Sequence, residues 1–308
     1  MNRRIVSLLP SATEMICALG LRADLVGVSH ECDHPPDVAT LPRVTATRIA
    51  HGQTSAEIDR QVREELARRT ALYTIERPLL ETLAPDLLVT QALCDVCAVS
   101  AEEVEAVACG LPRAARVFNL QPERLGDVLD SLVPLAEAAG QPDAGRALRA
   151  ALAARIDAVA VRSATLPAAA RPRVAMLEWL DPLFDAGHWN PELVTLAGGE
   201  PVFGHVGQPS TTRDWAALAA GDPDVIVIAC CGFDVPRTLE DVRAVESRPE
   251  WRALRAVRAG RTWVVDGNAY FNRPGPRLVD SLELLAHVLH PALHPMPAGV
   301  TPAVRVGG

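Results

Sequence analysis

The stretch QPDAGRALRAALAARIDAVAVRSA, residues 141–164, decides how the rest of the chain is divided. Pro142 and Asp143 suit a helix start, where a missing N–H costs nothing and a carboxylate meets the free amides of the first turn. Leu148, Leu152, Ile156 and Val159 recur at helical spacing and form one apolar stripe. Arg146, Arg149, Arg155 and Arg162 fall largely off it. At 1.5 Å per residue the helix spans about 35 Å, the width of a small domain. Leu166-Pro167 and Arg171-Pro172 stop it, because proline lacks an N–H and disfavours helix in the residue before it. The segments on either side resemble each other, so the helix reads as a rigid strut. The expected division is an α/β lobe over residues 1–140, the strut over 141–165 and a second α/β lobe over 166–308.

The likeness of the two halves is local and specific. LLETLAPDLLVTQALC (79–94) aligns with AALAAGDPDVIVIACC (216–231), each placing Pro-Asp before an apolar strand and cysteine after it. EMICALG (14–20) echoes ELVTLAGG (192–199). Short apolar strands are expected at 4–9, 25–29, 87–90, 116–120, 173–178, 225–228 and 262–265, alternating with helices. That alternation predicts two Rossmann-like lobes, each a parallel sheet with helices on its faces. Ligands of such sheets bind beyond the carboxyl ends of the strands, so a cleft between the lobes is the expected site.

Composition narrows the function. Thirty Lys+Arg against 38 Asp+Glu give a net charge of −8, with no basic block to neutralise phosphates, which argues against nucleic acid as partner. No apolar run approaches about 18 residues, so no membrane insertion is expected. In MNRRIVSLLPSATEMICALGL, Pro10, Thr13 and Glu14 interrupt the apolar run and no small-residue cleavage site follows. That start reads as the first strand and helix of the fold. The protein as given is expected in the cytoplasm, or in the periplasm if the start site is mis-set and an exported precursor exists. In a reducing compartment its seven cysteines are reduced, metal-bound or redox-active, not structural disulfides.

The unusual residues sit just past strand ends, at 30–34, 91–97, 179–189, 230–233 and 268–273. Cys94-x-x-Cys97 has metal or redox spacing, and Cys32, Cys230 and Cys231 share the strand-end position. These five thiols form one candidate set, suited to zinc, copper(I) or an iron–sulfur cluster. Cys17 and Cys109 read as small core residues of helices. Trp179, Trp189, Trp215, Phe233, Tyr270 and Phe271 offer flat faces to a large planar ligand. Arg213, Arg237 and Arg273 are candidates for its polar edges, although for Arg237 an ordinary surface position is the simpler reading. Gly-x-Ser-x-Gly and the phosphate-cradling glycine motifs are absent, and no Ser-His-Asp set is convincing, so enzyme chemistry is not indicated.

IVSLLPSATEMICALGL (5–21), LVGVSHECDHPP (25–36), APDLLV (84–89), the alanine-rich strut and NRPGPRLVDSLELLAHVLHP (272–291) together resemble the class III ABC-importer solute-binding proteins. These are the vitamin B12 and iron-siderophore binders, and the likeness is greatest to the cobalamin-binding branch, over about residues 4–295. The resemblance implies a monomeric, non-enzymatic protein that holds a corrinoid or related metal chelate in the interlobe cleft and delivers it to an ABC permease. Ligand contacts are expected from Ser11, Thr13, Glu14, His30, Glu31, Cys32, Gln91, Trp179, His188, Trp189, Phe233, Tyr270, Asn272 and Arg273. Glu57 or Glu64 in the first lobe, and Glu240 or Glu246 in the second, are counterparts of the family's permease-docking glutamates. The alternative is a cytoplasmic thiolate protein binding a metal ion or iron–sulfur cluster through Cys32, Cys94, Cys97, Cys230 and Cys231.

Overall fold

The computed structural model describes residues 3–50, 52–68, 72–91 and 101–307. The strands in chain order are β1 Ile5–Ser7, β2 Leu25–Val28, β3 Thr45–Thr47, β4 Tyr73–Ile75, β5 Leu87–Gln91, β6 Arg116–Leu120, β7 Arg173–Leu180, β8 Leu183–Asp185, β9 Glu200–Pro201, β10 Val225–Ile228, β11 Thr262–Val264 and β12 Val304–Val306. The helices are α1 Pro10–Ala18, α2 Ser55–Ala67, α3 Arg77–Leu83, α4 Ala101–Cys109, α5 Leu125–Ala139, α6 Pro142–Ser163, α7 Asn190–Leu196, α8 Trp215–Gly221, α9 Val235–Val245, α10 Pro249–Ala253, α11 Arg255–Arg258 and α12 Leu278–Leu289.

The chain forms two compact units. The first takes the described residues within 1–53, 57–122 and 126–151. Its sheet has the order β2-β1-β5-β6, parallel throughout. Val6, Leu8, Leu80, Leu88 and Val104 pack its core. The second unit takes 152–308 with 54–56 and 123–125. Its sheet, β12-β11-β10-β7-β8 with β9 beside β7, is mixed. β7, β10 and β11 are parallel, whereas β8 and β12 run antiparallel to their neighbours. The parallel strands expected form the centre of this sheet, and the two short antiparallel strands close its ends. β8 and β12 are three residues each and show no long period-two pattern, so they carry little local signal. The helix expected over 249–258 also divides, because Leu254 adopts an extended ψ of 135° with its side chain buried.

The repeated Pro-Asp is a structural joint in both units. α3 ends on Ala84 in the left-handed region (φ 41°), and α8 ends on Asp222 in the same region (φ 35°). One Oδ of the following aspartate accepts the first backbone N–H of the neighbouring strand, Arg4 N to Asp86 at 3.0 Å and Arg173 N to Asp224 at 2.9 Å. The aspartate amide returns the bond, Asp86 N to Arg4 O at 2.8 Å and Asp224 N to Arg173 O at 2.9 Å. Each joint sets the register of the central strand pair.

α6 is the expected strut. It begins at Pro142, and its stripe faces inward, with Leu152 and Val159 buried and Leu148 and Ile156 half-buried. Residues through Ala151 group with the first unit and those from Leu152 with the second. In the first unit a Cβ on Gly145 would lie 2.6 Å from Ala136 Cβ, so glycine permits the close contact of α5 with α6. In the second unit Arg155 bonds Asp280 at 2.5 Å and Glu283 at 2.7 Å, tying α6 to α12.

Candidate functional site

In the first unit the candidates converge at the carboxyl ends of β1, β2 and β5. Ser7 Oγ donates to Leu9 O at 2.9 Å and turns the chain into α1, whose first turns carry Ser11, Thr13 and Glu14, all buried. Thr13 Oγ1 and Cys32 Sγ lie 3.0 Å apart, joining the β1 and β2 exits. Arg43 Nη1 donates to Ser29 O at 2.9 Å and Cys32 O at 2.6 Å, fixing the loop that holds His30 and the exposed Glu31. His30 Nδ1 meets Thr45 Oγ1 at 2.7 Å and its ring lies 5.3 Å from that of Tyr73. Gln91 ends β5, buried. Ser11 Oγ and Thr90 Oγ1 are buried with no hydrogen-bond partner among the described residues, which leaves hydroxyl bonding capacity at two of these exits.

In the second unit the exits of β7 and β10 meet. The rings of Trp179 and Phe233 lie 4.9 Å apart, inclined at 36°, and Arg237 Cζ lies 4.3 Å over the Phe233 ring. The loop after β11 is bound to β10, with Asn272 Nδ2 donating to Ala229 O at 2.8 Å and to Gly267 O at 3.0 Å. Arg273, buried, donates from Nη2 to Asn268 Oδ1 at 2.7 Å. A Cβ on Gly267 would sit 2.1 Å from Cys230 O, so the loop can lie this close to β10 only with glycine there.

Other expected faces are occupied by the fold. Trp189 is 4% exposed and its Nε1 donates to Phe271 O at 2.6 Å. Tyr270 is also buried, and its hydroxyl accepts from Thr301 N at 3.2 Å. Trp215 lies 6.2 Å from the buried Trp251, edge to face. His188 is half-buried at a positive φ of 52° and stacks 5.4 Å from Trp189. Burial holds its pKa below the ordinary histidine value, with Glu123 pulling it partly back. Its Nδ1 and Asn190 Oδ1 are buried without a partner among the described residues.

Sequence reasoning passed over two carboxylates that neutralise candidate arginines. Asp185, 1% exposed, accepts from Thr211 N at 2.7 Å and pairs with Arg213 at 2.7 Å. Asp241 pairs with Arg237 at 2.7 Å. The Arg237–Asp241 pair was visible as a four-residue helical spacing; the Asp185 pairing was not, since it depends on β8.

Cys94 and Cys97 lie outside the described residues. Among the described residues no group of three or more His, Cys, Asp or Glu side chains is placed to hold a metal ion. Cys230 is fully buried and burial pushes its thiol pKa up, away from the thiolate a metal requires, while its neighbour Cys231 is exposed. Cys17 is half-buried, with its pKa pushed up to about 11 by burial. Cys109 is exposed at the end of α4, contrary to its expected core place. A cavity of about 200 Å³ lined by Trp251, Val257, Thr262 and Val306 lies at the amino end of β11, away from the strand exits, and is below the size of ordinary ligand pockets.

Comparison with known proteins bears on this arrangement. The family model described as periplasmic binding protein matches residues 79–269. The vitamin B12-binding protein of Vibrio cholerae serotype O1 is 24% identical over 291 residues, covering 91% of this chain and 86% of the relative. Among solved structures, a periplasmic heme-binding protein from Pseudomonas aeruginosa superposes with a TM-score of 0.75 at 22% identity, covering 100% of both chains. The periplasmic vitamin B12-binding protein of Vibrio cholerae gives 0.67 at 22% identity, covering 93% of this chain and 96% of that one. At such identities these structures speak to the fold.

Proposed function

This chain belongs to the periplasmic binding protein family, and from that premise we propose that it is a non-enzymatic solute-binding protein for a corrinoid of the cobalamin type. The observation that carries the reading is the half-buried Trp179–Phe233 pair at the exits of β7 and β10, an apolar wall of two rings inclined at 36° where an α/β sheet binds its ligand. The relative named as a vitamin B12-binding protein supports the corrinoid, and the solved heme binder keeps a second flat chelate in view. His188 and Asn272 in the second unit supply hydrogen bonds to the ligand's polar edge.

The protein acts outside the cytoplasm and delivers its cargo to an ABC permease. No helix among the described residues is long and apolar enough to cross a membrane, so the permease supplies the membrane path. Glu64, Glu240 and Glu246 are exposed and available to basic groups of that partner, and Glu57 is half-buried. Visible-absorbance titration with cyanocobalamin, dicyanocobinamide and hemin tests the reading. A saturable spectral change at micromolar cyanocobalamin is expected, with hemin weaker. No change with any of the three overturns it.

A further inference from the structure

Five residues of the second unit close a ring of contacts around the aromatic wall. Arg237 Nη1 donates to Asp241 Oδ1 at 2.7 Å, and Arg237 Nη2 donates to Ser55 Oγ at 3.4 Å. Ser55 Oγ donates in turn to the other oxygen of Asp241. The carbonyl of Ser55 accepts from Trp179 Nε1 at 3.3 Å. Trp179 packs at a tilt against Phe233, and Phe233 lies under the Arg237 guanidinium. The local sequence supports this placement. Asp234 caps α9 by accepting from Arg237 N at 2.9 Å, and Asp241 follows Arg237 by one helical turn. Asp241 is 8% exposed and Ser55 2%, so the polar side of the ring is shielded from water.

We propose that Asp241 is a positioning residue of the ligand site. By holding Arg237 over Phe233 it builds an ordered, charge-compensated wall that selects a flat ligand without a carboxylate at that edge. The inference rests on the ligand reading above. Its physical basis is charge and geometry. A guanidinium left alone over an aromatic ring is a carboxylate receptor; one already paired with a buried carboxylate is not. The guanidinium also needs a fixed partner to stay over the ring, since its stem is long and rotatable. The exposed Glu240 stands 3.9 Å from Arg237 and is too distant and solvated to replace Asp241.

The test compares Asp241→Asn with the native protein by two readouts. In the unliganded protein the near-ultraviolet circular dichroism of the stack, assigned with Trp179→Phe, is expected to collapse. In titrations the affinity ratio of hemin to cyanocobalamin is expected to rise by about tenfold, because a negative charge that repels the hemin carboxylates has been removed beside Arg237. A purely structural role would weaken both ligands alike and leave the ratio unmoved. Should Asp241→Asn fail to fold, Arg237→Lys decides the matter. It keeps both charges but not the planar group, so the dichroism is expected to fall while the affinity ratio stays put. Unchanged dichroism in whichever variant folds, or an unchanged ratio in folded Asp241→Asn, overturns the proposal. If the native protein binds neither probe, the ligand reading fails by itself, and the dichroism alone then reports whether Asp241 orders the stack.

Discussion

The two units enter their central strands by the same joint and leave them differently. Ala84-Pro85-Asp86 and Asp222-Pro223-Asp224 each end a helix in the left-handed region and lock the next strand to its neighbour through one carboxylate. At the exits the likeness ends. The first unit presents hydroxyls and an imidazole on a four-stranded parallel sheet, the second an aromatic–guanidinium stack on a mixed sheet. The amino ends of strands are governed by the backbone and its hydrogen bonds, which tolerate one solution. The carboxyl ends are where α/β sheets bind ligands, and there the two units carry different chemistry on the same frame.

The largest effect is expected at the glycine beside the strand exits of the second unit. Gly267→Ala drives a methyl into Cys230 O and costs about 3 kcal/mol, read as a lowered denaturant midpoint. A loss under about 1 kcal/mol would mean the loop after β11 has room to move, and the two exits are less different than they look. Next come the joints. Asp86→Ala and Asp224→Ala each leave a strand amide without its carboxylate, at a cost of about 1–2 kcal/mol. Matched losses by chemical denaturation sustain the equivalence, and a large mismatch breaks it.

A finer test lies in the left-handed residues. Ala84→Gly relieves a positive φ and is expected to stabilise by about 1 kcal/mol. Asp222→Gly gains less or loses, because the Asp222 carboxylate accepts from Arg255 N at 2.8 Å. Thermal denaturation of the two variants side by side separates them.

The smallest expected effect is a shallow pH slope from the second unit. Burial depresses the pKa of both His188 and His294 in the fold. Arg162 and His290 add to the shift at His294, whose Nε2 meets Ser163 Oγ at 3.1 Å. The unfolded chain takes up these protons below about pH 6.5 while the native state resists, so stability is full above that value and lost as pH falls through the depressed pKa. His294→Gln should flatten the slope in melting temperatures taken between about pH 7 and pH 5. An unaltered slope would place the titration elsewhere.

Much of this was legible in the residues. Leu148, Leu152, Ile156 and Val159 announced the strut and its buried face because a helix repeats every 3.6 residues and one stripe suffices to read it. The strand over 116–120 and that over 225–228 were found at the bounds the structure shows. β8 and β12 escaped notice because three residues paired to a distant strand leave no period to detect. At the candidate site, the strand-end positions of Trp179 and Phe233 could be read from the sequence, but the burial of Trp189 and Tyr270 could not. An aromatic near a loop looks the same in sequence whether it faces a ligand or fills the fold beneath it.

By itself the sequence determined what depends on neighbours along the chain: the strut, the alternation of strand and helix, the paired Pro-Asp joints and the family to which they point. Tertiary structure alone decided which charges pair between distant elements and which rings are covered. Ser55 reaches Asp241 and Trp179 across more than a hundred intervening residues, and Asp185 reaches Arg213 only because β8 folds back on β7. Periodicity and capping are local forces whose range is a few residues. Burial and ion pairing act through space, and the partners they bring together are set only when the chain has closed on itself.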